Sequence, residues 1–237
     1  MLKFSVTRDD QLDDIIITED TSLYLNLENC NKDINIDVME NMCLEVFELD
    51  INTKNKIKYN IRANSSVIVN KIGRDNSDIT NITLSGENAS LKYCTSILNY
   101  KDNIYKFRVD HLSDNTSSYV LNHGVNFENT ELNILVDSYV KKGLKGCKAE
   151  QDTKIIDLGN GKNLITPNLL IDAEDIEAEH AAYIGKFKPE VVFYLQSRGI
   201  PLKEVDELLT KGFLLNKMIL TGREEEDFNK FIEDNYK

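Results

Sequence analysis

Apolar and polar residues alternate in short stretches from the start of the chain to about residue 184. The apolar positions of these stretches include Leu23, Leu25 and Leu27; Ile34, Ile36 and Val38; Ile57, Tyr59 and Ile61; Val67 and Val69; Ile82 and Leu84; Phe107 and Val109; and Leu132, Ile134 and Val136. A period of two residues predicts half-buried β-strands, and no stretch in this region fits a long helix. The stretches recur roughly every 9 to 14 residues, which suits a sandwich, a barrel or a β-solenoid.

The segments between the predicted strands favour the solenoid. Residues 29–33 are Asn-Cys-Asn-Lys-Asp, and residues 160–163 are Asn-Gly-Lys-Asn. Asn and Gly tolerate the left-handed backbone conformation that tight corners need. We therefore predict a mainly β protein built as a solenoid, although periodicity alone also allows a sandwich.

After Lys186 the pattern changes to that of three short helices. Pro189 opens the first, over residues 190–198, and Gly199 is placed to end it. Pro201 opens the second, with Gly212 past its end, and Thr221 begins the third with a capping-box spacing to Glu224. Such short helices bury little alone, so their apolar faces must pack on the β body or on another protein. The simplest expectation is that they cap the open end of the solenoid.

Composition and charge narrow the function. The net charge of -12 disfavours binding to nucleic acid or to anionic membranes. No window approaches the roughly 20 apolar residues that span a bilayer, and the N-terminus lacks a signal peptide, so we expect a cytoplasmic protein. Cysteines 30, 43, 94 and 147 are widely spaced and are expected to be free thiols.

The three histidines are the candidate sites that the residues themselves indicate, since no catalytic motif stands out. His180 shares a strand face with Ile176, Ala178 and Ala182, which predicts an inward-facing core or interface histidine; a metal ligand is the alternative, because imidazole suits iron and zinc. His111 and His123 lie twelve residues apart, so they could stack on adjacent turns as a metal pair.

Segments near the C-terminus resemble the C-terminal core of SufB and SufD proteins, which assemble iron–sulfur clusters. The resemblance covers a proline-containing strand (165–172), a strand with His180 (179–185), a helix ending in Phe-Tyr-Leu-Gln-Ser-Arg-Gly-Ile (193–200), and a following helix that ends in Gly212 and Phe213. Weaker similarity extends upstream through His111, Asn115 and Thr116 and over residues 143–151.

This resemblance implies a right-handed parallel β-helix over residues 1–186 and a C-terminal helical subdomain over residues 187–237. In the family these helices dock an ABC-type ATPase, SufC, and the end of the β-helix pairs SufB with SufD where a cluster is built. The implied ATPase contacts are Phe193, Tyr194, Arg198, Gly199, Ile200, Gly212 and Phe213. The expected function is thus a non-catalytic scaffold that binds a SufC-type ATPase and either a SufB-like chain or a second copy of itself, with no cofactor beyond a transient iron–sulfur cluster.

The residues around His180 indicate the SufD branch. SufB proteins have His-Glu-Ala where this chain has His180, Ala181 and Ala182, and a cysteine where it has Asp152. The resemblance makes His180 an interfacial histidine and a candidate ligand or proton donor for a nascent cluster. Cys147 is a second candidate, if the register shifts by five residues. The chain begins directly in strands, so we expect a short form without the N-terminal helical region of longer SufD proteins.

Two other functions stay open. The chain is a minimal self-paired homologue that itself holds a nascent cluster, or it is an unrelated β-helix enzyme or carbohydrate-binding protein. The second alternative requires exposed aromatic residues or at least three carboxylates converging on a groove. In the sequence, Asp and Glu are scattered as if they only solvate the surface.

Overall fold

The computed structural model describes residues 1–11 and 13–236, and in this part of the chain it shows two β-sheets and three helices. The strands are β1 (Leu2–Thr7), β2 (Asp14–Ile17), β3 (Thr21–Glu28), β4 (Asp33–Val38), β5 (Cys43–Ile51), β6 (Lys56–Ile61), β7 (Ser66–Arg74), β8 (Ile79–Leu84), β9 (Ser90–Asn99), β10 (Asn103–His111), β11 (Ser117–Asn126), β12 (Glu131–Val140), β13 (Lys145–Asp157), β14 (Lys162–Ile171) and β15 (Asp175–Gly185). The helices are α1 (Pro189–Ser197), α2 (Leu202–Leu215) and α3 (Arg223–Asn235).

The chain winds as a parallel β-solenoid. The odd-numbered strands form one sheet in the order β1-β3-β5-β7-β9-β11-β13-β15, and the even-numbered strands form the other from β2 to β14. Each strand pairs in parallel with the strand of the same sheet one turn away. This topology confirms the solenoid prediction and excludes the sandwich, whose neighbouring strands run antiparallel. The right-handed sense stays a prediction.

The alternating apolar residues build the core between the two sheets. Every apolar residue listed above for the alternating stretches between Leu23 and Val136 is at most 3% exposed. The stacking of turns places inward-facing residues of neighbouring strands side by side. Val46 of β5 pairs with Val69 of β7, which pairs with Tyr93 of β9. The period of two was therefore a reliable guide, because each strand has one face in the interior and the other outside.

Asparagines hold the corners of the early turns. Asn29 and Asn52 have φ angles of 51° and 53°, lie 23 residues apart, and are joined by a hydrogen bond from Asn52 Nδ2 to Asn29 Oδ1 of 3.2 Å. The predicted left-handed corner is thus confirmed at Asn29. Gly161 was predicted to adopt the same conformation, but its backbone lies outside the left-handed region. Glycine is needed there because a Cβ would lie 2.2 Å from the Thr130 carbonyl oxygen.

The last two helices lie along the outer face of the odd-strand sheet instead of capping an end. Leu214 of α2 and Phe228, Phe231 and Ile232 of α3 are buried in one apolar cluster with sheet residues such as Ile72. Helix α2 continues through Gly212 to Leu215, so the prediction that it ends before Gly212 is wrong. Burial of Leu214 on the sheet outweighs the roughly 1 kcal/mol that a glycine costs inside a helix.

Helix α1 ends where the sequence predicted. Gly199 has a φ of +89°, and its N–H donates to the Gln196 carbonyl, as a glycine does after the last turn of a helix. The division at residues 186 and 187 into a β domain and a helical subdomain stays a prediction. No helix in residues 1–11 and 13–236 combines the length and apolar character that crossing a membrane requires.

Candidate functional site at the open end of the solenoid

The last turn of the solenoid, which we call the open end, consists of β14 and β15. Each of these strands ends its sheet: β14 pairs with β12 and β15 with β13, and no described strand covers their other edges. The backbone N–H and C=O groups along such an edge are ready to pair with another strand. Two adjacent free edges make the open end a candidate surface for a partner that is itself a β-structure.

Apolar side chains are exposed on the open end. The large ones are Leu164, Leu170, Ile171, Tyr183 and Ile184, with exposed fractions of 37% to 53%. All five belong to the two edge strands. Several exposed apolar residues on one edge are typical of an interaction site, whereas single exposed apolar residues are not.

Charge is distributed unequally between the two corners of the open end. The corner where β14 turns into β15 carries exposed Asp172, Glu174 and Asp175, and β15 continues with Glu177 and Glu179. The opposite corner, where β14 begins and β15 ends, carries exposed Lys162, Lys186 and Lys188, with Glu190 following in α1. A second end of the same kind, turned by a two-fold axis, would bring the acidic corner of one chain to the basic corner of the other.

His180 lies on the inward-facing side of β15 but is exposed to solvent. It pairs in register with Gln151 of β13, which is 3% exposed. Because the described residues form no further solenoid turn after β15, the inward position is open at this level. The prediction of a core histidine is therefore wrong, and the interface role stays a prediction.

Cys147 does not lie beside His180. It pairs with Ile176, four positions earlier along β15, which corresponds to about 13 Å of strand. Its thiol is buried, 3.3 Å from Thr116 Oγ1 and 3.4 Å from the Ser113 carbonyl oxygen. Among the described residues, no group of three or more His, Cys, Asp or Glu side chains is arranged to hold a metal. Within one chain, His180 and Cys147 are separate.

The other two histidines are buried at different places. His111 of β10 is hydrogen-bonded to Thr116 Oγ1 and Ser118 Oγ, both at 2.9 Å, and burial lowers its pKa to about 4. His123 of β11 donates from Nδ1 to the Phe213 carbonyl at 2.8 Å, and burial lowers its pKa as well. The two residues lie in different sheets, so the expected stacking is wrong.

The predicted ATPase contacts fall into two groups. Phe193 and Tyr194 of α1 are 73% and 55% exposed, and the Arg198 guanidinium lies 5.3 Å from the centre of the Tyr194 ring. Gly199 is exposed and Ile200 is half-buried beside them. We call these five residues the α1 surface. Helix α1 has no buried residue, and it follows β15 of the open end directly in the chain.

Gly212 and Phe213 lie away from the α1 surface. Gly212 is exposed in α2, whereas the Phe213 ring stacks on His123 with centroids 4.3 Å apart and meets Phe187 edge-on. Phe213 thus attaches α2 to the odd-strand sheet. Its role as an ATPase contact is untested, but its ring is already engaged within the chain.

Sequence reasoning missed one group, which we call the buried lysine–carboxylate cluster: Glu48, Asp50, Lys71 and Asp78. Asp and Glu are predicted above to be solvating surface charges, yet these three carboxylates are at most 3% exposed, as is Lys71. The signal that could have found them is the phase of the strand, since Glu48 and Lys71 follow apolar inward positions at steps of two.

The carbohydrate alternative stays open, because one of two surface grooves carries the three carboxylates that it requires. A shallow groove of about 570 Å³ on the outer face of the even-strand sheet has Asp14 and Asp37 as its carboxylates and no exposed aromatic ring among its lining. A second groove, of about 700 Å³ at the corner where β14 turns into β15, is lined by Asp172, Glu174 and Asp175 together with Lys142 and Lys145. The carboxylates of the buried lysine–carboxylate cluster, in contrast, are closed to a ligand.

Comparison with known proteins identifies a family and several relatives that this chain resembles. The family described as "SUF system FeS cluster assembly, SufBD core domain" matches residues 16–213. The chain is 31% identical over 119 residues to the iron–sulfur cluster assembly protein SufD of Bacillus subtilis, which covers 48% of this chain and 27% of SufD. It is 29% identical over 106 residues to SufB of the same organism, covering 44% of this chain and 23% of SufB. A SufBD family protein of Staphylococcus saprophyticus matches to the same extent as SufB.

The matches thus span about a quarter of the length of these relatives. Of the two Bacillus subtilis proteins, SufD is the more similar. The family match, in contrast, extends from β2 to α2 and includes the open end and the α1 surface. The chain therefore belongs to the SufB/SufD family of iron–sulfur cluster assembly proteins.

Proposed function

We propose that the chain is a SufD-like, non-catalytic scaffold of a Suf complex, in which the open end binds a second solenoid and the α1 surface binds a SufC-type ATPase. The observation that carries the proposal is the open end itself, with two free strand edges, exposed apolar residues and oppositely charged corners. An iron–sulfur cluster under assembly is the cargo of such a complex.

The free strand edges and the charged corners of the open end suit pairing with a second solenoid. Antiparallel pairing of β15 with its counterpart would satisfy the free backbone groups and cover Tyr183 and Ile184. The acidic corner would then face Lys186 and Lys188 of a second copy. A SufB-like chain is the other family partner for this position, and the two partners are separated by the test below.

The α1 surface fits a different partner. Its aromatic rings stand out from a helix, and aromatic residues beside an arginine are frequent in the centre of protein interfaces. The strand edges of the open end do not extend to α1. The two surfaces can therefore be occupied at the same time by two proteins.

His180 would supply one ligand or one proton donor at the junction of the two solenoids. Since Cys147 is about 13 Å away along the strand, the remaining ligands of a cluster would have to come from the partner. This arrangement favours a cluster shared between chains over the alternative of a chain that holds a cluster alone.

The ATPase contact is tested by size-exclusion chromatography of the chain with its cognate ATPase, with and without ATP. We expect co-elution of the wild type and its loss in the double variant Phe193→Ala, Tyr194→Ala. Ile16→Ala is the matched control, because Ile16 is 64% exposed at the opposite end of the solenoid. Failure of the wild type to co-elute under either condition would refute this contact.

The open end is tested by light scattering of the chain alone and mixed with a SufB-like chain. Ile184→Lys should abolish whichever complex the wild type forms, whereas Ile16→Lys should retain it. A dimer of the chain alone indicates self-pairing, and a complex only in the mixture indicates the SufB-like partner. A monomer in both samples contradicts the proposal for the open end.

The shared cluster is tested by anaerobic reconstitution followed by visible absorption. We expect the chain alone to remain colourless and its complex with the partner to become brown, and His180→Ala to reduce the absorption of the complex. Stable colour in the isolated chain that is lost in Cys147→Ala would instead support the self-sufficient homologue.

A further inference from the structure

One cation and three carboxyl groups meet in the interior of the solenoid, away from the open end. Lys71 Nζ of β7 contacts a Glu48 oxygen, lies 2.7 Å from Asp50 Oδ2, and lies 2.9 Å from Asp78 Oδ2. Glu48 and Asp50 belong to β5, the neighbour of β7, whereas Asp78 precedes β8 of the opposite sheet. The buried lysine–carboxylate cluster therefore joins the two sheets.

The charges of the buried lysine–carboxylate cluster do not balance if every group is ionised. Three carboxylates and one ammonium leave two negative charges on side chains that are at most 3% exposed, which is a costly state. The Tyr93 hydroxyl donates to Glu48 Oε2 at 3.2 Å, and the Asn55 amide donates to Asp50 Oδ2 at 3.1 Å. These neutral donors satisfy oxygen atoms but remove no charge.

The remaining groups that face Asp50 bring no second cation. Tyr59 of β6 has a buried hydroxyl without a partner among the described residues, and the Tyr105 hydroxyl of β10 accepts from the Asn76 N–H. Cys30, in the turn before β4, is a neutral thiol near Asp50. Lys71 is thus the one cation among the described residues around this carboxyl.

Asp50 also faces a second carboxyl group directly. Its Oδ1 atom has no donor among the described residues, and its Oδ2 atom shares the Lys71 ammonium with a Glu48 oxygen. Because a buried carboxyl beside other negative charges favours its neutral form, the site favours a proton on Asp50.

We propose that the buried lysine–carboxylate cluster holds one proton on Asp50 at neutral pH and acts as a pH-sensitive lock between the two sheets. Loss of the proton places a further negative charge in the interior and weakens the solenoid at β5 and β7. Consistent with this, burial raises the pKa of Asp50 well above its usual range, with Glu48 and Asp78 adding to the effect and Lys71 opposing it.

A proton held on Asp50 makes the stability of the folded protein fall as the pH rises. The folded protein binds a proton that the unfolded chain has released, so this contribution to stability is complete below about pH 4 and is lost as the pH rises towards the folded pKa of Asp50. In Asp50→Asn, the amide donates to Glu48 and accepts from Lys71, which reproduces the protonated state without titrating.

The test compares urea unfolding of the wild type, Asp50→Asn and Asp78→Asn between pH 5 and 7. As the pH rises, the ratio of the folding equilibrium constant of Asp50→Asn to that of the wild type should increase by about tenfold per pH unit. Asp78→Asn removes a carboxylate that also accepts from Thr53 and from the Asn55 N–H, so it should be less stable throughout. Parallel pH profiles for the wild type and Asp50→Asn, or an equal gain in Asp78→Asn, would overturn the proposal.

A second measurement needs no variant. Infrared spectra of the wild type in heavy water at neutral pH should show the carbonyl band of a protonated carboxyl group, which disappears when the protein is unfolded by heat. Absence of that band from the folded protein at neutral pH would equally overturn the proposal.

Discussion

His180 takes in β15 the register position that Gln151 takes one turn earlier in β13. Gln151 is buried and donates from Nε2 to Ser138 Oγ at 2.8 Å and to the Asn168 carbonyl at 3.1 Å. His180 is exposed because no further turn covers β15. The same inward position is therefore core in one turn and surface in the next, which makes His180 available to a partner.

This difference in burial predicts that truncating Gln151 lowers the stability of the fold and that truncating His180 does not. Gln151→Ala should lower the free energy of unfolding by about 1–2 kcal/mol, because it removes buried hydrogen bonds. His180→Ala should change it by less than about 0.5 kcal/mol, as expected for an exposed side chain. Urea unfolding of the isolated chain measures both. An equal loss in the two variants would mean that His180 is part of the core.

The buried His111 predicts a loss of stability in acid. Its folded pKa of about 4 lies below the ordinary value of 6.5, so the unfolded chain binds a proton that the folded chain does not. This contribution is complete above about pH 6.5 and is lost as the pH falls towards 4, for a total of about 3 kcal/mol. Urea unfolding at several pH values should show that His111→Gln loses less stability than the wild type between pH 6.5 and 4. Parallel curves for the variant and the wild type would exclude His111 as the source.

The two predicted aromatic contacts of the tail should behave differently. Phe213→Ala removes the ring that stacks on His123 and is expected to cost about 2 kcal/mol, less than a fully buried phenylalanine because Phe213 is half-buried. Phe193→Ala, at 73% exposure, should stay within about 0.5 kcal/mol of the wild type. Thermal unfolding of the two variants provides the comparison. A large loss in Phe193→Ala would show that α1 packs within the chain.

The strands and the solenoid could be predicted because each turn repeats the same simple rule. Val67 and Val69 are inward in β7, as the period of two requires, and their burial needs no knowledge of distant residues. The positions of Gly199 and Asn29 follow from local backbone preferences in the same way.

The parts that were missed depend on residues far apart in the chain. Glu48 and Lys71 meet because a turn of 23 residues places them side by side, and only that register shows that their charges are paired inside the core. Gly212 stays helical because Leu214 packs on a sheet formed much earlier in the sequence. The exposure of His180 follows from its place in the last turn, which strand alternation alone does not reveal.

The corner asparagines give a prediction that separates backbone strain from side-chain contact. Asn64 has a φ of 55°, donates to Asn41 Oδ1 at 3.3 Å and accepts from Asn88 Nδ2 at 2.9 Å. Asn64→Ala should lower the free energy of unfolding by about 1–2 kcal/mol, since alanine is strained in the left-handed region. Asn64→Gly should lose much less, because glycine adopts this conformation without strain. If urea unfolding shows equal losses for both variants, the side-chain ladder, and not the backbone conformation, is what asparagine contributes at this corner.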